Sequence, residues 1–278
     1  MYRFLLTPRW LGLAALTLVM AGVMVLLGNW QLDRYRTRSA INDRIDAAAE
    51  AAPAPLPAVL PAPTGTAGAP GPAPPATAAW SRVQISGRYD PSHEILARSR
   101  TVAGRVGIEV VTPLVLADGS AVLVDRGWIP PAPGGAAAIP EVPPAPAGDV
   151  TVVGRVHLSE SRPGPLDHRE RFITVRRIAV PQLAAELPYP VYGAYVMLDS
   201  QTPAADPALV PVPSRRENAW QNGGYVVQWW LLAGLTLVGY VWLARREARE
   251  PSDFDSAVRD LADENATRLP QAPVSPAV

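Results

Sequence analysis

Two apolar stretches, one near each end of the chain, constrain this sequence more than any motif within it. The first runs from Leu11 to Gly28 and the second from Tyr225 to Ala244, and neither contains a charged residue. A bilayer core about 30 Å thick is crossed by about 20 apolar residues of helix, so each stretch is long enough to span. The pattern predicts a membrane hairpin, with both termini on one side and the intervening chain displayed as a domain on the other.

The first stretch does not read as a cleaved leader. Arg3 and Arg9 precede it, as basic residues precede a signal peptide, but the apolar run outlasts the roughly 7–15 residues usual for one. It ends in Leu26-Leu27-Gly28-Asn29-Trp30, without a small-x-small cleavage site. A retained anchor is expected. Arginines close to the spans set the orientation. Arg3, Arg9 and the run Arg245-Arg246-Glu247-Ala248-Arg249 place both termini in the cytoplasm. Arg34, Arg36 and Arg38 oppose this, and the C-terminal cluster and the even number of spans outweigh them. Trp10 and Trp30 bracket the first span, and Tyr225, Trp229, Trp230, Tyr240 and Trp242 crowd the ends of the second, as interfacial aromatics do. The expected location is a bacterial plasma membrane, crossed twice, with the central domain extracytoplasmic.

Composition narrows the function classes. The formal net charge is zero, which gives no reason to expect a nucleic-acid partner. Every basic residue apart from histidine is arginine, and alanine and proline abound, the signature of a GC-rich bacterial genome. There is no cysteine, so disulfides, thiolate metal sites, cysteine nucleophiles and a lipoprotein anchor are excluded.

Residues 1–9 are expected to be a cytoplasmic N-terminus, 10–30 the first membrane helix, and 31–50 a helical extension of Arg, Ala, Asp, Ile and Glu. Residues 51–79 are almost all Ala, Pro, Gly and Thr. Such a composition does not bury enough apolar surface to offset its ordering entropy, so a disordered spacer is expected there. From Trp80 the pattern changes to short β-branched runs bounded by turns, with Asp118-Gly119-Ser120 marking a hairpin. Residues 80–200 are expected to form a β-rich domain, an antiparallel sandwich or barrel, with a Pro-rich insert at 130–148 and one short helix over Val180 to Leu187. Residues 201–224 read as a Pro-rich return segment, 225–244 as the second membrane helix, and 245–278 as a largely disordered cytoplasmic tail, with a short helix over Phe254 to Leu261.

No catalytic constellation emerges. His93, His157 and His168 show no metal-ligand spacing, and no nucleophile elbow, phosphate loop or dinucleotide fingerprint is present. The expectation is a protein that is not an enzyme, with no metal site, no catalytic residue and no soluble substrate. Three patterns remain: Gly28-Asn29-Trp30-Gln31-Leu32-Asp33-Arg34 leaving the first span, Val124-Asp125-Arg126-Gly127-Trp128-Ile129-Pro130 in a strand, and Tyr225-Val226-Val227-Gln228-Trp229-Trp230 opening the second span. Singly, each has an ordinary structural reading: an aromatic belt, a strand ending in a glycine bulge, and a polar residue at headgroup depth.

Together and in order, these patterns resemble the Surf1/Shy1 family of cytochrome c oxidase assembly proteins. The likeness is carried by Leu27-Gly28-Asn29-Trp30-Gln31-Leu32-Asp33-Arg34, Gly87-Arg88-Tyr89, Gly107 with Thr112-Pro113-Leu114, Leu123 to Pro130, and the Tyr225, Gln228, Trp229 set. It points to a bacterial, actinobacterial-type member. The resemblance implies a role in haem a insertion and maturation of subunit I of a haem–copper oxidase, with subunit I or haem a synthase as membrane partners and haem a as a transient cofactor. An alternative is a permanent accessory subunit of the respiratory complex that never touches the cofactor. The resemblance also implies a haem-ligand histidine just before the second span, and Asn222 stands at that position. Trp30, Gln31, Arg34, Tyr225, Gln228 and Trp229 are the candidate cofactor-binding residues; Gly87, Arg88, Tyr89, Asp125, Arg126, Gly127 and Trp128 are the expected structural motif.

Overall fold

A computed structural model describes residues 3–133, 138–214 and 216–249. The expected tail helix at Phe254 to Leu261 and the centre of the Pro-rich insert lie outside these residues. The chain divides into two compact units: a helical unit built from the two ends of the chain, and a β-rich unit formed by residues 40–217.

The helical unit holds most of α1 (Pro8–Glu50) and all of α4 (Ala219–Glu247), both apolar and long enough to cross a bilayer. Span and extension are thus one uninterrupted helix, about 65 Å long at 1.5 Å per residue. The helices run antiparallel: Trp10 meets Tyr240 edge-on, the Thr236 hydroxyl approaches the Met24 sulfur, and a Cβ on Gly28 would strike the Trp230 indole. The least exposed positions of α1 (Trp10, Ala14, Thr17, Ala21, Met24, Gly28, Gln31, Tyr35) alternate in steps of four and three. On α4, Asn222, Val226, Trp229, Ala233, Thr236 and Tyr240 do the same. A 3.5-residue repeat of this kind keeps one seam facing the partner helix. Its small residues let the backbones approach closely, which is what drives association where lipid is as apolar as leucine.

The β-rich unit is a single mixed sheet. Its strands are β1 (Ala54–Pro55), β2 (Arg82–Tyr89), β3 (Ile95–Val102), β4 (Arg105–Val115), β5 (Ala121–Ile129), β6 (Val150–Leu158), β7 (Asp167–Arg169), β8 (Phe172–Val175) and β9 (Val191–Thr202). Five of them close a ring, β2-β6-β9-β5-β4 and back to β2. Numbered in chain order, the ring reads 1-4-5-3-2, and its one parallel contact is β5 with β9. This is a small Greek-key barrel of the OB type. The barrel expectation therefore stands, but the sheet is not wholly antiparallel, because β1–β2, β3–β8 and β5–β9 are parallel pairs. β4 makes the closure possible. Its first half pairs with β3, its end pairs with β2, and the handover falls beside Pro113, which has no N–H to give either neighbour. The Pro113 carbonyl accepts the Asp90 N–H instead. β3, β8 and β7 extend the sheet beyond the barrel, and the short helix α3 (Val180–Ala184) packs beside β9, its buried Val180 and Leu183 sharing one apolar cluster with Ile95, Ile173 and Tyr195.

Residues 51–79 are not a disordered spacer in this structure. Leu56 and Leu60, at the two ends of one helical turn (α2, Leu56–Val59), are each 1 % exposed in the barrel core. Ala54 and Pro55 add a parallel edge to β2, and the stretch from Gly68 to Gly71 bonds to the backbone of Tyr189 and Val191. Two leucines suffice where the barrel already offers a dry surface; the composition of the segment alone hides this. Replacing Leu56 by Ala is expected to cost about 2–5 kcal/mol, the range for a fully buried leucine. Thermal denaturation of the full chain in detergent checks this, and a spacer would show no shift. The Pro-rich insert also packs: Val142 is buried beside Ile129 and Phe172. So does the return segment, where Leu209 is buried and Val210 bridges to Trp128.

Candidate functional site

The Asp125-Arg126-Gly127-Trp128 run sits on a bulge in β5. Val111 faces Asp125 and Val110 faces Gly127, so Arg126 is the extra residue. Gly127 has φ +141°, and a Cβ there would stand 2.9 Å from the Val210 carbonyl oxygen. That carbonyl already accepts the Trp128 N–H at 2.8 Å, and the Val210 N–H returns to the Trp128 carbonyl at 2.9 Å. A left-handed φ and a close backbone approach both require glycine at this position.

Arg126 and Glu94 form an ion pair with both side chains 1 % exposed, Nη1 to Oε1 at 3.0 Å. The Thr112 hydroxyl donates to the same oxygen, and Arg126 Nη2 donates to the Pro143 and Pro144 carbonyls. The guanidinium lies 5.6 Å from the centre of the Tyr89 ring, whose hydroxyl donates to Gln201. Burial pushes the Glu94 carboxyl up, against the pull of Arg126. Tyr89, Thr112 and Arg126 thus converge on one buried knot, while Gly107 gives room to the Trp128 ring and Gly87 to the Val115 carbonyl. Arg88 alone points outward, to Asp149 at 2.6 Å. Glu94, the centre of the knot, was not anticipated. Its signal was a carboxylate directly ahead of the apolar pair Ile95-Leu96.

The six membrane-proximal candidates do not gather into one site. Gln31 and Trp229 are half-buried in the helix–helix seam. Trp30, Arg34, Tyr225 and Gln228 are exposed, with Arg34 over the Trp30 ring at 5.6 Å. Among the described residues, no hydrogen bond, ion pair or ring contact joins Trp30 or Arg34 to Tyr225 or Gln228. Tyr225, Gln228 and Trp229 are spaced i, i+3 and i+4 on α4, but the seam takes Trp229 and leaves the other two outside. Asn222 is buried, and its Oδ1 accepts from Arg38 Nη1 at 3.2 Å. An amide oxygen engaged in this way does not fit an axial iron ligand, which is ordinarily imidazole or a sulfur group.

The three histidines lie in the β-rich unit. His93 bonds Asp90, and His168 bonds Glu186. His157 lies between Trp80 and Tyr195, with ring centres 5.0 and 4.9 Å away. It borders a cleft of about 590 Å³ whose wall includes Arg100, Glu109, Asp125 and Glu160. Arg100 reaches Glu109 at 3.0 Å and Glu160 at 2.8 Å. Burial, reinforced by the Glu109 charge, pushes the Asp125 carboxyl well up, and burial raises Glu109 as well. Burial also lowers His157, which favours its neutral form. An acid whose folded pKa is raised contributes stability at low pH that is lost as pH climbs from its unfolded value through its folded value. Asp125→Asn keeps an oxygen for the Gly127 N–H. The variant should therefore gain on the parent as pH rises above the ordinary carboxylate range, by up to about 1.4 kcal/mol per pH unit. Denaturation midpoints of both chains at pH 5 and pH 8 check this; parallel pH profiles would contradict it.

The model of the SURF1 family matches residues 18–234, from inside the first membrane helix to inside the second. SURF1-like proteins of Mycobacterium bovis and Mycobacterium tuberculosis are 31 % identical over 249 residues, covering 88 % of this chain and 87 % of theirs.

Proposed function

The chain belongs to the SURF1 family, and from that premise we propose that it is an assembly factor for a haem–copper cytochrome c oxidase that acts in a bacterial plasma membrane and supports haem a insertion into subunit I. The carrying observation is the extent of the match: one family pattern runs from inside the first membrane helix, through the barrel, into the second membrane helix. Subunit I and haem a synthase are the proposed partners. Arg245 and Arg246 in the last turn of α4 support cytoplasmic termini and an extracytoplasmic barrel. The role is non-enzymatic. It does not run through iron ligation by Asn222, whose amide is committed to Arg38. The exposed Trp30–Arg34 pair on α1 and Tyr225 with Gln228 on α4 are the surfaces offered to membrane partners.

Stoichiometry tests the reading. An affinity-tagged chain, expressed with haem a synthase, should appear with immature subunit I and be lost from the finished oxidase. Presence in the mature complex at unit ratio would instead make it a permanent accessory subunit. At residue level, Gln228→Leu and Arg34→Ala should each lower the haem content of the oxidase without lowering the level of the chain. If both variants leave haem content unchanged, these surfaces are an ordinary aromatic belt.

A further inference from the structure

The cleft beside His157 holds more carboxylates than cations. Glu109, Asp125 and Glu160 face a single guanidinium, Arg100. A second arginine, Arg177, touches only the far oxygen of Glu160, at 4.0 Å, and is itself mostly exposed. Asp125 is 2 % exposed, and the Gly127 N–H is its one hydrogen-bond donor, on Oδ1; its other oxygen has no donor among the described residues. His157 sits between two rings and does not supply the missing charge. The acids of the site outnumber the cations that reach them, and burial raises the carboxyls of Asp125 and Glu109.

Backbone strain concentrates around the same cleft. Trp80 has φ +72°, Ser99 +62° and Ala103 +49°, and all three line it. L-residues in the left-handed region are uncommon and cluster where a ligand or a switch fixes the chain. Ser99 is the extra residue of a bulge in β3: Arg98 pairs with Ile108 and Arg100 with Gly107. Arg98 and Arg100 thereby turn to opposite faces, and Arg100 enters the cleft. The bulge aims a side chain, as bulges beside binding sites do.

We propose that this cleft binds an organic cation, a guanidinium or alkylammonium group, held by Glu109, Glu160 and Asp125 against the Trp80 and Tyr195 rings. Carboxylates supply charge-assisted hydrogen bonds, and aromatic faces attract the same charge. The volume of about 590 Å³ lies within the roughly 300–1,000 Å³ of small-ligand sites. A metal ion suits the cleft less well. No group of three or more His, Asp or Glu side chains among the described residues is arranged to hold one, and Arg100 stands between two of the acids. The cation comes either from a basic side chain of a partner polypeptide or from a free amine.

The test uses the full chain in detergent, labelled with 5-fluorotryptophan, with the Trp80 resonance assigned through Trp80→Phe. It is titrated with a capped Gly-Arg-Gly peptide, with its neutral citrulline counterpart, and with propylguanidinium. The arginine peptide should shift the Trp80 resonance to saturation, and the citrulline peptide should not. Glu109→Gln and Glu160→Gln should each weaken the shift at least tenfold while leaving the other tryptophan resonances in place. Binding of propylguanidinium without the peptide would also support the site and assign it to a free amine. Absence of any shift, equal shifts with citrulline, or undiminished binding by the two folded variants would overturn the proposal.

Discussion

Replacing Arg126 by Met is expected to cost about 3–5 kcal/mol and to strip the membrane of most of the protein. That is the range for removing one partner of a buried ion pair and stranding the other. Glu94 would keep the Thr112 hydroxyl and Arg171, which is mostly exposed and 3.7 Å away. The Pro143 and Pro144 carbonyls would lose their donor, and the insert its anchor on the sheet. Burial disfavours each charge alone, and the pair persists because both are present. The double variant Arg126→Met, Glu94→Leu should therefore recover much of the loss, since neither charge remains to be solvated. Arg126→Lys should fall between, because one ammonium does not serve both Glu94 and the two proline carbonyls. Steady-state levels and denaturation midpoints of the four chains check the series. Normal accumulation of Arg126→Met would contradict it.

Gly127→Glu is also expected to be damaging, at roughly 1–3 kcal/mol from backbone strain. A side chain at φ +141° meets the Val210 carbonyl, so the substitution strains the bulge and also pries the return segment from Trp128. Gly127→Ala should show a milder form of the same defect. Oxidase maturation should fall in proportion to the amount of folded protein. Full levels of Gly127→Glu with full oxidase activity would contradict this account.

The hydropathy of Leu11–Gly28 and Tyr225–Ala244 was enough to expect both membrane helices, because a span is a local property. The strands were legible for the same reason, and Gly127 stood out as a glycine between two large residues at a strand end. What escaped were contacts between distant residues. Glu94 and Arg126 are 32 positions apart, and Arg38 and Asn222 are 184 apart. No spacing rule links either pair. The parallel β5–β9 contact closes the barrel across a long connection that includes β6, β7, β8 and α3, so the sheet could not be read as mixed from hairpin signals alone. Leu56 and Leu60 were hidden by their proline-rich surroundings, and only the barrel gives them somewhere to go. The acids of the cleft came from three separate segments, and two of them, Glu109 and Glu160, carried no motif at all. Among the membrane-proximal residues, helical spacing placed Trp229 with Tyr225 and Gln228; the 3.5-residue seam set by Ala233, Val226 and Asn222 divides them.

The assembly role itself is tested most directly by the haem a content of subunit I in a strain without this chain. Haem a per subunit I, read from the optical spectrum of affinity-purified oxidase, should drop at least several-fold, while haem a synthase levels hold. Re-expression of the wild-type chain should restore it. Subunit I fully loaded with haem a in the deletion strain would contradict the account.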